Sequence, residues 1–101
     1  MGPSSAQAAA LVPYRERVGE TFLFRTTGDA ARPAWGTDVY SDDSDLASAA
    51  VHAGLLKAGE TGVVKLLVVR AAGPFEGSVR NGATTGAKAD WPGGAFRLEK
   101  P

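Results

Sequence analysis

The strongest constraint on the fold of this 101-residue chain is one short alanine-rich helix whose two ends are both marked by the sequence. Gly54, just after the last turn, readily takes the left-handed conformation that ends a helix. A helix this short is unstable alone, and its small side chains let other backbone approach closely. We therefore predict a central helix over about residues 44–53, wrapped by strands. Its apolar positions recur at helical spacing: Leu46, Ala49, Ala50 and Ala53.

Acidic residues gather at the start of this helix. Asp42, Asp43 and Asp45 lie near its positive end, where each carboxylate contributes about 0.3–1 kcal/mol. Asp43 or Ser44 is placed to cap the first free N–H groups. Together with Asp38, the same acids could offer oxygen ligands to calcium, but the glycine and distal glutamate of an EF-hand loop are missing. We expect capping here, with no metal and no other cofactor.

Five segments have strand character. Gly62–Arg70 is the strongest, and its apolar residues on both faces indicate a central strand covered on both sides. Short strands around one helix predict an α+β fold with antiparallel-rich sheets. The other segments are aromatic, β-branched or alternating, and Phe75–Val79 is the weakest of them. They are Thr21–Thr26, Ala34–Tyr40, Phe75–Val79 and Ala95–Leu98.

The remaining segments predict turns and loops. Asn81 and Gly82 form a turn with positive φ, and we interpret Gly82–Ala89 as a flexible loop. Residues 1–12 lack the basic and apolar regions of a signal peptide and are expected to be a flexible segment before a single domain over residues 13–101. An export signal already removed would leave the same beginning, so secretion stays open.

Composition excludes several classes of protein. Hydrophobic residues make up 44% of the chain and charged residues 22%, as in an ordinary globular domain. Eleven basic and eleven acidic residues balance, and the basic ones form no stripe interleaved with aromatics, so nucleic-acid binding is not expected. No apolar run approaches the roughly 20 residues of a membrane span. The absence of cysteine removes disulfides and thiolate chemistry.

Catalysis would have to use His52, the single histidine. Near the end of a helix, a structural role is the simpler interpretation: a packed ring bonded to backbone, or a cation favoured by the helix dipole. Ser44 and Ser78 could be proposed as nucleophiles, but neither lies in a G-x-S-x-G turn. We predict that the chain is not an enzyme, and a hydrolase built around His52 is the least favoured alternative.

Polar loops are the better candidates for ligand binding. Arg80 and Asn81 could present a guanidinium and an amide to sugar hydroxyls, phosphate or carboxylate, although a plain hairpin turn also explains Asn81. Trp91, next to a proline and two glycines, is expected to be an exposed ring that stacks on a sugar, whereas Trp35 is expected to be buried. With Asp42 and Asp43, these loop residues form the predicted binding set.

The order of motifs resembles the LCCL domain over about Thr21 to Leu98. The specific segments are AAVHAG, at Ala49–Gly54, and GSVRNG, at Gly77–Gly82, with Trp35-Gly36-Thr37 before them. The resemblance implies a non-catalytic, usually extracellular module with a central helix enclosed by β-sheet. Animal members carry paired cysteines, one of them where this chain has Ala47, so the resemblance is to a cysteine-free, bacterial-type member.

LCCL domains have been linked to lipopolysaccharide binding and host defence, although no ligand-binding motif carries over to these residues. We therefore predict an extracytoplasmic binding module, periplasmic or secreted, that recognises a glycan or a glycolipid such as lipopolysaccharide. The alternative is a structural or assembly domain that docks onto another protein through a strand edge or the loop from Gly82 to Trp91.

Overall fold

The computed structural model describes residues 16–71, 74–89 and 91–101. These residues form one helix and seven strands, which confirms the predicted α+β class. The flexible segment expected over residues 1–12 lies outside the described residues. The helix is α1 (Leu46–His52), and the strands are β1 (Thr21–Thr27), β2 (Gly36–Thr37), β3 (Val39–Ser41), β4 (Thr61–Val69), β5 (Val79–Arg80), β6 (Ala83–Thr84) and β7 (Ala95–Glu99).

Five of the described strands form an antiparallel sheet in the order β1-β4-β7-β3-β2. Strand β4 lies between β1 and β7, so the prediction that it is central is confirmed. Strands β5 and β6 pair separately as a small hairpin. The hairpin contacts α1, and so does β1 of the large sheet. The helix therefore lies between the two sheets.

The core forms on the face of the large sheet that meets α1. Val64, Leu66 and Val68 alternate along β4, and each is buried there together with Phe24 and Phe96. On the opposite face the alternate residues of β4 are intermediate in exposure, so that face is partly covered. The prediction that β4 is covered on both faces is therefore confirmed for the face that meets α1 and only in part for the other.

The helix is shorter than predicted: it begins at Leu46, not at about residue 44, and its cap lies one residue beyond Ser44, the later of the two expected caps. Asp45 is the N-cap: its Oδ1 accepts hydrogen bonds from the N–H groups of Ala47 at 2.8 Å and Ser48 at 3.4 Å. Ser44 is not the cap because its hydroxyl accepts from the N–H of Trp35 at 2.9 Å. At the other end, Gly54 has φ 83° and stops the helix as predicted.

Three segments have a structure that differs from the predicted one. The segment Ala34–Tyr40 is not one strand, because the chain reverses at Asp38, with φ 67°, and β2 pairs with β3. In Phe75–Val79 only the last residue belongs to a strand, while Phe75 makes an isolated bridge to Lys88. That bridge, with β6, also shows that Gly82–Ala89 is a hydrogen-bonded segment and not a loose loop.

Candidate functional site

A chain of polar side chains runs through the interior from the end of α1. His52 is fully buried; its Nδ1 lies 2.8 Å from the Tyr40 hydroxyl and its Nε2 lies 3.0 Å from the Ser78 hydroxyl. The Ser78 oxygen is in turn 2.6 Å from that of Thr37, which donates to the backbone oxygen of Glu76 at 2.8 Å. The chain of bonds thus joins the helix to β2, β3 and the segment before β5.

The Glu76 carbonyl at the end of this series of hydrogen bonds determines where each proton lies. A carbonyl only accepts, so the single Thr37 proton is used there, and the Ser78 hydroxyl must donate to Thr37. Ser78 then accepts from the Nε2–H of His52, and the Nδ1 of His52 accepts from the Tyr40 hydroxyl. This tautomer is assigned from the hydrogen-bond network. In it, His52 has no lone pair facing Ser78 and cannot serve as its general base.

Burial keeps both ring systems neutral. Desolvation lowers the pKa of the His52 imidazole, despite an opposing hydrogen bond with the Ser78 backbone. Desolvation also raises the pKa of Tyr40 to about 12. Because both shifts favour the uncharged forms, the network consists of neutral hydrogen bonds near pH 7. The network joins the helix to the neighbouring strands and contains no charged group near pH 7.

The lowered pKa of His52 predicts a loss of stability in mild acid. Above about pH 6.5 the histidine is neutral in both folded and unfolded chains, but as the pH falls the unfolded chain takes up a proton first. The free energy of unfolding should therefore decrease from about pH 6.5 downward. Urea unfolding at a series of pH values measures it, with His52→Gln as the control. If wild type and His52→Gln show the same slope, another group causes the loss.

The two segments that carry the LCCL resemblance touch each other. The Nδ2 of Asn81 donates to the backbone oxygen of His52 at 2.9 Å, which satisfies a carbonyl at the open end of α1. Asn81 and Gly82 have φ values of 55° and 84°, as a two-residue hairpin turn requires. A Cβ atom on Gly54 would lie 3.2 Å from the Asn81 amide nitrogen. Asn81 therefore attaches the hairpin to the helix, besides forming the predicted turn.

Arg80 lies at the surface of the same hairpin. Its Nη1 is 2.7 Å from the Oδ1 of Asp38, at the reversal between β2 and β3. The Arg80 side chain is 47% exposed and that of Asp38 is 60% exposed, so the pair contributes little to stability. The ion pair holds the guanidinium in one direction while leaving part of it in contact with solvent.

The predicted acidic residues are placed differently from one another. Asp42 is 2% exposed, and its carboxylate accepts from the Nε1 of Trp91 at 3.1 Å and from the N–H of Gly94 at 3.0 Å. Asp43 is half-buried, and its Oδ2 lies 2.8 Å from the Nζ of Lys88. Asp42 thus positions Trp91, whereas Asp43 remains partly open to solvent.

Lys88 lies between the two tryptophans of the chain. Its Nζ is 4.0 Å from the Trp35 ring centroid and 4.1 Å from that of Trp91, within the range of a cation–π interaction. Both rings are half-buried. The expectation that Trp91 is exposed and Trp35 is buried is therefore wrong: the same lysine covers part of each ring.

The predicted binding residues fall into two places. Arg80 and Asn81 lie at the hairpin beside the end of α1, and Asp42, Asp43 and Trp91 lie together beyond its start. No hydrogen bond or ion pair found among the described residues joins these two groups. Nor do those residues contain a group of three or more histidine, aspartate or glutamate side chains arranged to hold a metal ion.

The hydrogen-bond network around His52 and the lysine between the tryptophans had no signal in the sequence. Tyr40, Thr37 and Ser78 are isolated polar or aromatic positions whose spacing predicts no network with His52. Lys88 lies in the segment interpreted as a loop, and only the bridge to Phe75 brings it to the tryptophans. A search for polar residues within the two resembling segments would have found Ser78, because it belongs to GSVRNG.

Comparison with known proteins identifies the family. The sequence model of the LCCL domain matches residues 5–94. The chain belongs to the LCCL domain family. It is also similar to the human protein named Cysteine-rich secretory protein LCCL domain-containing 2, with 36% identity over 69 residues. That match covers 65% of this chain but only 14% of the human protein.

Membership in the LCCL family indicates a binding or interaction module. This LCCL domain contains no cysteine, so its loops are held by other means. For example, the N–H of Arg32 donates to the Ser48 hydroxyl at 2.9 Å, and that of Asp45 donates to the Pro33 carbonyl at 2.8 Å. No helix among the described residues is long and apolar enough to cross a membrane.

Proposed function

We propose that this LCCL domain is a non-enzymatic, extracytoplasmic module that binds a glycan or a glycolipid such as lipopolysaccharide. The observation that carries the proposal is the hairpin surface, where Arg80 is exposed yet oriented by Asp38 at 2.7 Å. An oriented guanidinium loses less conformational freedom when it binds phosphate or sugar oxygens. The word "secretory" in the name of the human relative supports the extracytoplasmic setting.

The hairpin is suited to polar recognition because its backbone is held firmly. Asn81 donates through Nδ2 to the His52 carbonyl, so its amide plane has a defined direction. The Oδ1 atom of the same amide can accept a hydrogen bond from a sugar hydroxyl. Arg80 and Asn81 therefore form the first contact region of the proposal.

A longer glycan would reach a second contact region at Asp43 and Trp91. The Trp91 indole is positioned by Asp42, and its half-buried ring still offers part of its surface for stacking. Asp43, also half-buried, can accept hydrogen bonds from hydroxyl groups beside that ring. In this proposal Asp42 acts by positioning Trp91, because its own carboxylate is buried.

The non-enzymatic part of the proposal is supported by the assignment of hydrogen-bond donors and acceptors around His52. The histidine is fully buried and has Nδ1 engaged by Tyr40, so it presents no base to a bound substrate. A hydrolytic activity that His52→Gln abolished without unfolding the domain would contradict this part.

Binding to a glycan array and to lipopolysaccharide tests the proposal. We expect Arg80→Ala to weaken binding roughly tenfold, because a charge-assisted hydrogen bond is lost. Arg17→Ala is the matched control, since Arg17 is also exposed and forms an ion pair with Glu20 at 3.3 Å. Equal losses in both variants, or no binding by the wild-type domain in either assay, would contradict glycan recognition.

A second candidate is a structural or assembly domain that docks onto another protein. It is favoured by exposed apolar side chains: Leu23 on β1 is 53% exposed and Val79 on β5 is 69% exposed. Such residues are suited to a protein interface. Light scattering and co-purification measure this alternative, and a strictly monomeric domain without protein partners would contradict it.

A further inference from the structure

A cleft of about 500 Å³ lies next to the proposed glycan-binding hairpin, and Asp38, the partner of Arg80, is on its rim. It opens between the reversal at Asp38, the end of β4, the segment before β5, and β7. Both charged and apolar side chains line it. They are Thr37, Asp38, Val39, Val69, Arg70, Pro74, Phe75, Glu76 and Arg97.

The apolar part of the cleft is already formed. Val39 and Val69 are half-buried, and Phe75 is 6% exposed. Phe75 is held by two backbone bonds: its N–H donates to the Lys88 oxygen at 2.8 Å and its oxygen accepts from the Lys88 N–H at 3.0 Å. Val69 belongs to the central strand. A ligand therefore meets a surface that needs little rearrangement.

Two arginines border this apolar surface without a carboxylate partner in the described part of the chain. Arg70 and Arg97 are both exposed, and neither forms an ion pair there. By contrast, the carboxylate of Asp38 on the rim is already bound to Arg80. Glu76 is the other lining carboxylate. The lining thus holds two guanidinium groups and two carboxylates, and the pairing of Asp38 with Arg80 leaves two arginines beside one remaining carboxylate.

We propose that this cleft binds a small organic anion in which a phosphate or carboxylate group is joined to an apolar body. Arg70 and Arg97 bind the oxyanion, because guanidinium groups offer paired N–H donors that match its oxygens. The apolar body lies against Val39, Val69 and Phe75. Neither Arg80 nor Trp91 takes part, so this proposal can fail or succeed independently of glycan recognition.

A titration with four small probes tests this proposal. Phenyl phosphate and benzoate carry both required parts, inorganic phosphate lacks the apolar body, and benzyl alcohol lacks the charge. Amide chemical shifts recorded at low ionic strength report binding to the whole chain. We expect saturable binding of phenyl phosphate or benzoate in the millimolar range, with inorganic phosphate and benzyl alcohol at least about fivefold weaker. No saturable binding of either aromatic anion would overturn the proposal.

Charge variants show whether the arginines bind the anion. Arg70→Gln and Arg97→Gln should each weaken binding of the aromatic anion roughly tenfold. Arg25→Gln is the matched control because Arg25 is an exposed arginine on β1 that does not line the cleft. An equal loss with Arg25→Gln would mean a general charge effect and would overturn the assignment.

A further variant tests the apolar surface. Val39→Thr keeps the shape of the side chain but replaces a methyl group by a hydroxyl, so it should weaken phenyl phosphate binding and leave inorganic phosphate unchanged. Unaltered thermal unfolding confirms the fold of each variant. If inorganic phosphate binds wild type as tightly as phenyl phosphate, the site takes free phosphate only, and the organic anion is the wrong ligand class.

Discussion

Replacing His52 by alanine is expected to lower the free energy of unfolding by about 3–5 kcal/mol. The imidazole fills a fully buried position and bonds both Tyr40 and Ser78. Its removal leaves a cavity and two hydroxyl groups without their partner. Urea unfolding monitored by tryptophan fluorescence measures the loss.

Single hydroxyl deletions provide the controls for this prediction. Tyr40→Phe and Ser78→Ala each remove one end of the network and should cost about 1–2 kcal/mol. Since Tyr40 and His52 are in direct contact, the double variant should lose less than the two single variants together. If His52→Ala lowers the free energy of unfolding by less than about 1 kcal/mol, neither the packing nor the hydrogen bonds of the ring stabilise the fold appreciably.

Gly36→Ala is expected to destabilise the domain by at least about 3 kcal/mol, or to prevent folding. Gly36 has φ 111°, a conformation that residues with a Cβ atom rarely adopt. In addition, the new Cβ would collide with the backbone oxygen of Val39 and press on the Phe75 ring. The backbone oxygen belongs to a paired strand and cannot move aside without breaking the β2–β3 pairing. Thermal and urea unfolding measure the effect.

Gly59→Ala separates the two causes. Gly59 also has a positive φ, 86°, but a Cβ atom there would meet nothing within 4 Å. It should therefore cost only the conformational strain, about 1–2 kcal/mol. Similar losses in Gly36→Ala and Gly59→Ala would mean that the collision predicted at Gly36 is relieved by a small backbone shift.

The features that the sequence predicts well depend on short stretches of neighbouring residues. The helix follows from alanines at helical spacing and a stop at Gly54, and the position of β4 follows from a long run of β-branched and aliphatic residues. Positive φ at Asn81 follows from its place before Gly82, because asparagine and glycine tolerate that conformation. In each case the physical cause lies within a few residues along the chain.

The errors concern side chains whose partners are distant in sequence. Asp43, Ser44 and Asp45 are equally good caps by composition, but the N–H of Trp35 occupies the Ser44 hydroxyl and Lys88 binds the Asp43 carboxylate, so the predicted caps were wrong. Trp91 looks exposed from its neighbours, yet Asp42 and Lys88 hold it half-buried. No local pattern records such contacts, so residue type alone could not predict them.

The sequence alone determined the class of the fold, its central helix and the LCCL family, because periodicity, turn residues and motif order are properties of the chain itself. Tertiary structure decided the role of the central segment. The helix proved to be the anchor of a neutral hydrogen-bond network, since folding brings His52 against Tyr40 and Ser78 at 2.8 and 3.0 Å. Likewise, only packing between distant strands brings Arg70 and Arg97 to one cleft. The residues that line this cleft belong to four separate segments of the chain.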